Sequence, residues 1–421
     1  MHIILFEDGA VSRLFPTTIG RPAFALNVGT YRLIDLVSCL GGSIEIIIRP
    51  YLSAMVTTDF PDLWHSGQGE RSNPILLLNA RAVPDAALIR QLRQLIEQGR
   101  SGVARTNGRF DRDCIAAALF FRDNPFPGSF VGSSQLLGIV EDLNLPSLGI
   151  SIPLLEYPHD LIRHQFLTMR ENLAFRLQRG EYREADELGA GVYLANGCRP
   201  GSYCVFDASN GPIVIEKGAN IGPYSYFKGP VYIGANAKII EHSAIKGYVT
   251  LGAVTKVGGE VEGSIIESYT NKQHHGFLGH SYLGSWVNLG AGTCNSDLQS
   301  TYGEVVMEYG GQKVETGMQF VGCFIGDYAK TAINTSIFTG KTIGACSMSY
   351  GFVTTNVPSF VNYARSFGQV SEMTVDVMVQ TQARMFARRS VVQRQCDIDL
   401  LREIYEMTKH ERHLANEPLS L

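Results

Sequence analysis

The stretch IEKGANIGPYSYFKGPVYIGANAKIIEHSAIKGYVTLGAVTKV, residues 215–257, decides how most of this chain folds. An apolar or aromatic residue returns every six positions, at Ile215, Ile221, Phe227, Ile233, Ile239, Ile245, Leu251 and Val257. A helix repeats at about 3.6 residues and a strand at about 2, so a period of six fits a chain that turns a corner every hexad and stacks its coils. Glycine follows the apolar position at Gly222, Gly234, Gly252 and Gly258, which predicts corners that need unusual backbone angles. Three hexads make one coil, so residues about eighteen apart should stack at roughly 4.8 Å and the inward aliphatics should form columns. The pattern stops after Val257, resumes at Leu278, Leu283 and Leu289, breaks again from Asn295 to Gln319, and returns at Ile325, Ile337 and Ile343. Such breaks predict loops leaving one face, often the binding face. A bare scaffold or trimerisation stem would show the same period, so the repeat gives the fold and leaves the activity open.

At 421 residues the chain is long enough for two or three domains. A formal charge of −4 argues against nucleic-acid or polybasic membrane partners. The eight cysteines show no CxxC pair and no metal-ligand spacing, which reads as small apolar residues in a reducing compartment. The N-terminal MHIILF is strand-like, no export signal is evident, and no apolar run approaches the ~20 residues that cross a bilayer. The expected localisation is cytoplasmic.

Upstream of the repeat, strand-like and helix-like stretches alternate. Ile3–Phe6, Ile44–Ile48 and Ile75–Leu78 read as buried strands; Tyr31–Leu40 reads as a helix stopped by Gly41 and Gly42; Asp85 can cap a helix to about Gln98. This order predicts an open, mostly parallel sheet with ligands beyond the carboxyl ends of its strands, near Glu7–Arg13 and Asn79–Val83. Neither loop is a P-loop or a GxGxxG fingerprint.

The segment ILFEDGAVSRLFPTTIGRPAFAL, residues 4–26, resembles the signature loop of sugar-phosphate nucleotidyltransferases, LAAGxGTRxxP followed by RPK. Without a gap, Gly9 falls on the first signature glycine, Ser12 on the threonine, Arg13 on the arginine, and Arg21-Pro22 on the later pair. ILLLNARAVP, residues 75–84, resembles that family's strand ending in a glycine–aspartate pair, whose aspartate binds magnesium. Val11, Glu7, Asp8, Ala23 and Arg81 depart from the pattern; Arg81 stands at the aspartate. The resemblance implies substrate contacts from Gly9, Ser12, Arg21, Asn79 and Arg81, phosphate neutralisation by Arg13, and Mg2+ as a possible cofactor, with the metal ligands unknown. A degenerate domain that binds sugar phosphate or nothing is the competing reading. Asp160 reads as an exposed helix-start acid or as a second carboxylate of the site.

The densest resemblance is NKQHHGFLGHSYLGSWVNLGAGTCNSD, residues 271–297. It looks like the acetyltransferase domain of the bifunctional N-acetylglucosamine-1-phosphate uridylyltransferase/glucosamine-1-phosphate acetyltransferase family. The resemblance puts His274 on the catalytic histidine, Phe277 and Asn288 on substrate-contacting positions, Ala291 on the alanine near the cofactor, and Asn295 on a later asparagine. Acetyl transfer from a thioester needs a neutral amine, and an imidazole can take its proton. The family's paired basic residues upstream are here Glu262 and Gly263, leaving Lys256 and Lys272 as the nearest cations. His275 and His280 read as surface residues; a zinc site from His274, His275 and His280 matches no known spacing.

After Gly368 the composition changes, and Ser371–His410 reads as one or two helices with a basic run at Arg384, Arg388, Arg389 and Arg394. That run is either a solvated helix face or a binder of CoA or nucleotide phosphate. The expected architecture is α/β plus all-β: a nucleotidyltransferase-like open sheet at 1–187, a left-handed parallel β-helix at 188–365 and a helical tail at 366–421. The resemblance implies a homotrimer that transfers an acetyl group from acetyl-CoA to an amino-sugar phosphate. A transferase active only at the N-terminal site, with NTP and sugar-1-phosphate, and a non-catalytic sugar-nucleotide-binding scaffold are the alternatives.

Overall fold

The computed structural model describes residues 1–65, 71–122, 126, 130 and 132–415. The chain forms two compact units, one of Met1–Asn27 with Tyr31–Asp160, the other of Val28–Thr30 with the chain from Leu161 onward.

In the first unit His2–Phe6 lies between Ser43–Ile47 and Ile75–Asn79, parallel to both. All five residues of HIILF and all five of ILLLN are buried, as befits strands covered on both faces. The seven-stranded sheet is mixed, because Ile115–Phe120 runs antiparallel to both Ile75–Asn79 and Gly102–Arg105. The parallel half carries the loops of interest: Phe6 pairs with Asn79, so Glu7–Arg13 and Asn79–Val83 leave the sheet at the same edge. Asp85 caps Ala86–Gln98 by accepting from the Ala87 amide at 2.8 Å. The expected helix over Tyr31–Leu40 shortens to Leu33–Val37, with a strand residue pair before it and a 3-10 turn after it.

The second unit is a parallel β-helix. Ile215, Ile233 and Leu251 stack 18 positions apart in one sheet, and Ile221, Ile239 and Val257 in the next. All eight hexad residues are buried in one continuous core. The longest of its sheets has nine strands, from Tyr182–Glu184 to Lys341–Ile343.

The role expected for the hexad glycines is corrected. Gly222, Gly234, Gly252 and Gly258 lie outside the positive-φ region, and a Cβ on each would meet the next coil's backbone at 2.5, 2.6, 2.5 and 2.2 Å. They are glycine because the coils approach that closely. The positive-φ corners are held by Tyr224, His242, Val254 and Tyr269, with φ of 58, 59, 62 and 66°. Each of these corner amides donates to the preceding coil, so the ladder runs through the corner and offsets the left-handed conformation. The Tyr224 ring lies 5.1 Å from Tyr203 and 5.2 Å from His242, nearly parallel to both.

The longer break in the hexad pattern is an excursion from the prism. Between Leu283 and Ile325, which pair directly, the chain leaves the prism and forms the hairpin Val306–Tyr309/Gln312–Glu315. The solenoid also continues past Pro358, where Val361–Ala364 pairs with Met348–Ser349 and then turns back through Gln369–Glu372. The tail holds three described helices, Val375–Ala387, Gln395–Met407 and Lys409–Ala415. Phe386 seats the first of them against Trp286, centroids 4.5 Å apart, and Glu411 accepts from the Ser359 amide at 2.9 Å. Residues 416–421 lie outside the described part. No helix among the described residues is long and apolar enough to cross a membrane.

Candidate functional site

Each unit carries a candidate site. In the first, the chain leaving Phe6 turns into the 3-10 helix Gly9–Leu14, capped by Asp8 accepting from the Ala10 amide at 3.1 Å. Asp8 also takes both arms of Arg81, at 2.8 and 2.6 Å, and the Asn79 amide at 2.7 Å. Arg81 is fully buried and donates onward to Asp111 and to the Leu155 carbonyl, each at 2.8 Å. Asp111 in turn binds Arg13, whose guanidinium lies 5.7 Å over the Tyr157 ring. The four side chains form an alternating row, Asp8–Arg81–Asp111–Arg13, with no net charge.

Electrostatics follow the row. Burial opposes the charge on Asp111, yet Arg13 and Arg81 outweigh it and hold the carboxyl below its usual range. Burial likewise opposes Arg13, and Asp111 outweighs it in the other direction. Behind the row, Glu156 accepts the Arg109, Phe110 and Asp111 amides at 3.1, 2.8 and 2.7 Å and fixes the loop that presents Asp111. Asp160 is not an exposed helix-start acid. It is buried and accepts from the Glu156 and Tyr157 amides, so it orders that same loop.

A cavity of about 290 Å³ opens on this row, lined by Asp8, Gly9, Ala10, Arg81, Asp111 and Glu141 among others. Of the residues expected there, Gly9 and Arg81 line it, and Arg13 reaches it through Asp111. Ser12 is exposed and donates to the Gly9 carbonyl, Arg21 gives its carbonyl to Arg49, and Asn79 is buried as a support for Asp8 and Arg81. Glu7 points away from the cavity into a bidentate pair with Arg49, at 2.9 and 3.0 Å, and accepts the Ala23 amide. The carboxylates facing the cavity are thus engaged by guanidinium groups, and no cluster of three or more potential metal ligands occurs among the described residues. This donor set does not fit a magnesium ion held by the protein alone.

In the β-helix, His274 sits on an exposed turn after the strand Asn271–Lys272. Lys272, 2% exposed, turns inward and donates to the His274 carbonyl at 2.8 Å and the Gly258 carbonyl at 2.7 Å. Burial depresses its pKa to about 8, against partial support from Cys294 and Glu260. Lys272 is therefore a clamp for the His274 turn and is closed to a ligand. The neighbouring turn is tied in by the Gly292 amide, which donates to the His275 carbonyl at 3.1 Å and brings Ala291 to the same corner. Phe277 begins the following strand, half-buried, in register with Glu260.

Asn288 is exposed and bonds Asn271 at 3.3 Å, continuing the column Lys238–Lys256–Asn271 on one sheet. Asn295 faces the other way: it is buried, and its amide is used on both polar groups of Gly279 and on the Ser296 carbonyl. The structure thus gathers His274, Ala291 and Phe277 at one edge, sets Asn288 on the adjoining face, and turns Asn295 inward.

His280 is not a surface residue. Its Nδ1 lies 2.8 Å from Asp297, and its ring is stacked between Phe166 and Phe320, with centroids 5.5 and 5.2 Å away. It joins the helix His159–Arg179, the prism and the base of the excursion, where Arg163 also donates to the Thr316 carbonyl. Nothing in a lone histidine within a GHS tripeptide signals this. Asp111 and Glu156 were equally hidden, since they lie in loops without a motif.

Comparison with known proteins adds similarities to this picture. Residues 3–179 match the model of the sugar nucleotidyl transferase family. A Sulfurisphaera tokodaii protein named bifunctional sugar-1-phosphate nucleotidylyltransferase/acetyltransferase is 35% identical over 142 residues, 33% of this chain and 35% of that protein. A Methanococcus maripaludis protein named bifunctional protein GlmU is 41% identical over 140 residues, 33% of this chain and 34% of that protein. The match therefore spans about a third of the length of these relatives. A solved structure of Francisella novicida UDP-N-acetylglucosamine acyltransferase is similar over 55% of this chain and 78% of that one, with 14% identity and a TM-score of 0.32.

Proposed function

We propose that the chain is a cytoplasmic, trimeric sugar-phosphate transferase whose β-helix moves an acetyl group from acetyl-CoA to an amino-sugar phosphate. The observation that carries this reading is the His274 turn: an exposed imidazole on a backbone pinned by a buried lysine, beside the Gly290–Gly292 turn. The name of the Sulfurisphaera tokodaii relative, which pairs nucleotidyl and acetyl transfer, supports it.

On this reading His274 takes a proton from the acceptor amine as its nitrogen attacks the thioester carbonyl. A backbone N–H holds the developing oxyanion. The C–N bond forms, the C–S bond breaks, and the proton passes from the imidazole to the departing thiolate. Phe277 and Asn288 contact the sugar, and Ala291 lies along the donor. No covalent enzyme intermediate is required. A trimer would add the neighbour's face as the second wall of the donor groove.

A second reading is favoured by one observation in the first unit. Arg81 and Arg13 already neutralise Asp8 and Asp111, so a sugar-1-phosphate and an NTP would meet a closed row of charges. That unit then binds a sugar nucleotide without turning it over. Pyrophosphate release from UTP or dTTP with a sugar-1-phosphate tests it: turnover assigns a second activity, and binding without release assigns a sensor. Thiol release from acetyl-CoA with a panel of amino-sugar phosphates tests the first reading, and no release with any acceptor would remove it.

A further inference from the structure

One sheet of the β-helix presents Lys238, Lys256 and Asn271 in register on successive coils, followed by Asn288. Residues in such register stand roughly 4.8 Å apart on one face. Lys238 is exposed and Lys256 half-buried. The end of the tail helix Val375–Ala387 delivers two further cations to the same place: Arg389 donates to Asn271 Oδ1, and Arg388 caps the helix beside it. Four positive side chains thus meet on one column.

Several other cations of this unit have carboxylate partners. Lys246 has Glu260, Arg394 has Asp397, and Arg412 has Glu372. Among the described residues, by contrast, none of Lys238, Lys256, Arg388 and Arg389 has a carboxylate partner. Lys256 is pulled below its ordinary range by burial and then by Arg389, Lys238 and Arg388, and Arg389 by burial and then by Arg388. Cations at a helix C-terminus ease its dipole, which accounts for Arg388 and leaves the two lysines of other coils unexplained.

We infer that Lys238, Lys256, Arg388 and Arg389 form a phosphate-binding site beside Asn271 and Asn288. A phosphate ester or pyrophosphate relieves the mutual repulsion and takes charge-assisted hydrogen bonds from both residue types. The identity of the phosphate rests on the acyl-transfer reading: it belongs either to the nucleotide end of CoA or to the sugar acceptor.

Isothermal titration of the full chain with inorganic pyrophosphate, CoA, 3'-dephospho-CoA and glucosamine-1-phosphate tests the site without turnover. Lys238→Gln/Lys256→Gln should weaken pyrophosphate about tenfold or more, and added salt should weaken the unaltered chain. Beside that loss, a matching loss for CoA and a smaller one for 3'-dephospho-CoA assigns the donor; a matching loss for glucosamine-1-phosphate, with none for either CoA, assigns the acceptor. Both outcomes support the site. Equal affinities in the two proteins, or no binding of any of the four probes by the unaltered chain, would overturn it. Since no thiol release is read, failure here leaves the acyl-transfer reading standing, and failure of that reading leaves the pyrophosphate result standing.

Discussion

The ammonium of Lys272 donates to the backbone carbonyl of His274, two residues along the chain, at 2.8 Å. With its second bond to Gly258, this is a buried cation employed to fix the backbone of an exposed histidine. Buried lysines are rare because ionisation there is costly, and both carbonyls can equally be served by a neutral amine, which keeps two N–H donors.

Lys272→Met should therefore destabilise the β-helix by about 1–3 kcal/mol, since two buried acceptors lose their donor. The pH dependence has a definite sign. The folded pKa near 8 lies below the ordinary 10.5, so the unfolded chain binds more protons between these values and stability rises with pH across that window. Urea melts of the original chain and Lys272→Met at pH 7.5, 9 and 10.5 check this: the gap should widen with pH.

The alternating row in the first unit predicts an asymmetric response. Arg81→Ala leaves Asp8 and Asp111 facing each other with little solvent, and should cost about 3–5 kcal/mol. Adding Asp111→Asn should recover part of that loss, while Asp111→Asn alone should cost less than Arg81→Ala. Chemical denaturation of the single and double variants measures the coupling.

Close approach of the coils makes the hexad glycines intolerant. Gly222→Ala puts a methyl 2.5 Å from the Glu241 nitrogen and should destabilise by about 1–3 kcal/mol. At the neighbouring corner, Tyr224→Gly relieves a left-handed conformation worth about 1–2 kcal/mol and loses stacking on Tyr203 and His242 of about the same total, so the two effects offset one another. Thermal melts should separate the two positions clearly.

His280 and Asp297 secure the base of the excursion. His280→Ala should remove one hydrogen bond and two ring contacts, costing about 1–3 kcal/mol locally. The readout is limited proteolysis, which should cut faster between residues 299 and 317 while the prism remains intact.

How much of this was legible in the sequence depends on the range of the forces involved. The six-residue period announced the prism, its columns and its core, because each inward residue is chosen by its neighbours one coil away. The same reading misjudged the glycines, since close packing and positive φ both select glycine and only coordinates separate them. The motif at 271–293 marked the His274 corner. Asp111, Glu156 and the His280–Asp297 pair were invisible, because each is defined by a partner brought near through the fold rather than by spacing. Arg81 was singled out as a departure, yet its burial between two carboxylates follows from the pairing of Phe6 with Asn79, a relation of strands rather than of motif.

The most direct test of the acyl-transfer account is the rate of thiol release from acetyl-CoA with glucosamine-1-phosphate and related amino-sugar phosphates, for the original chain and for His274→Ala. Release by the original chain, reduced at least a hundredfold in a folded His274→Ala protein, is the expected result. Equal rates in the two proteins would contradict a general base at His274.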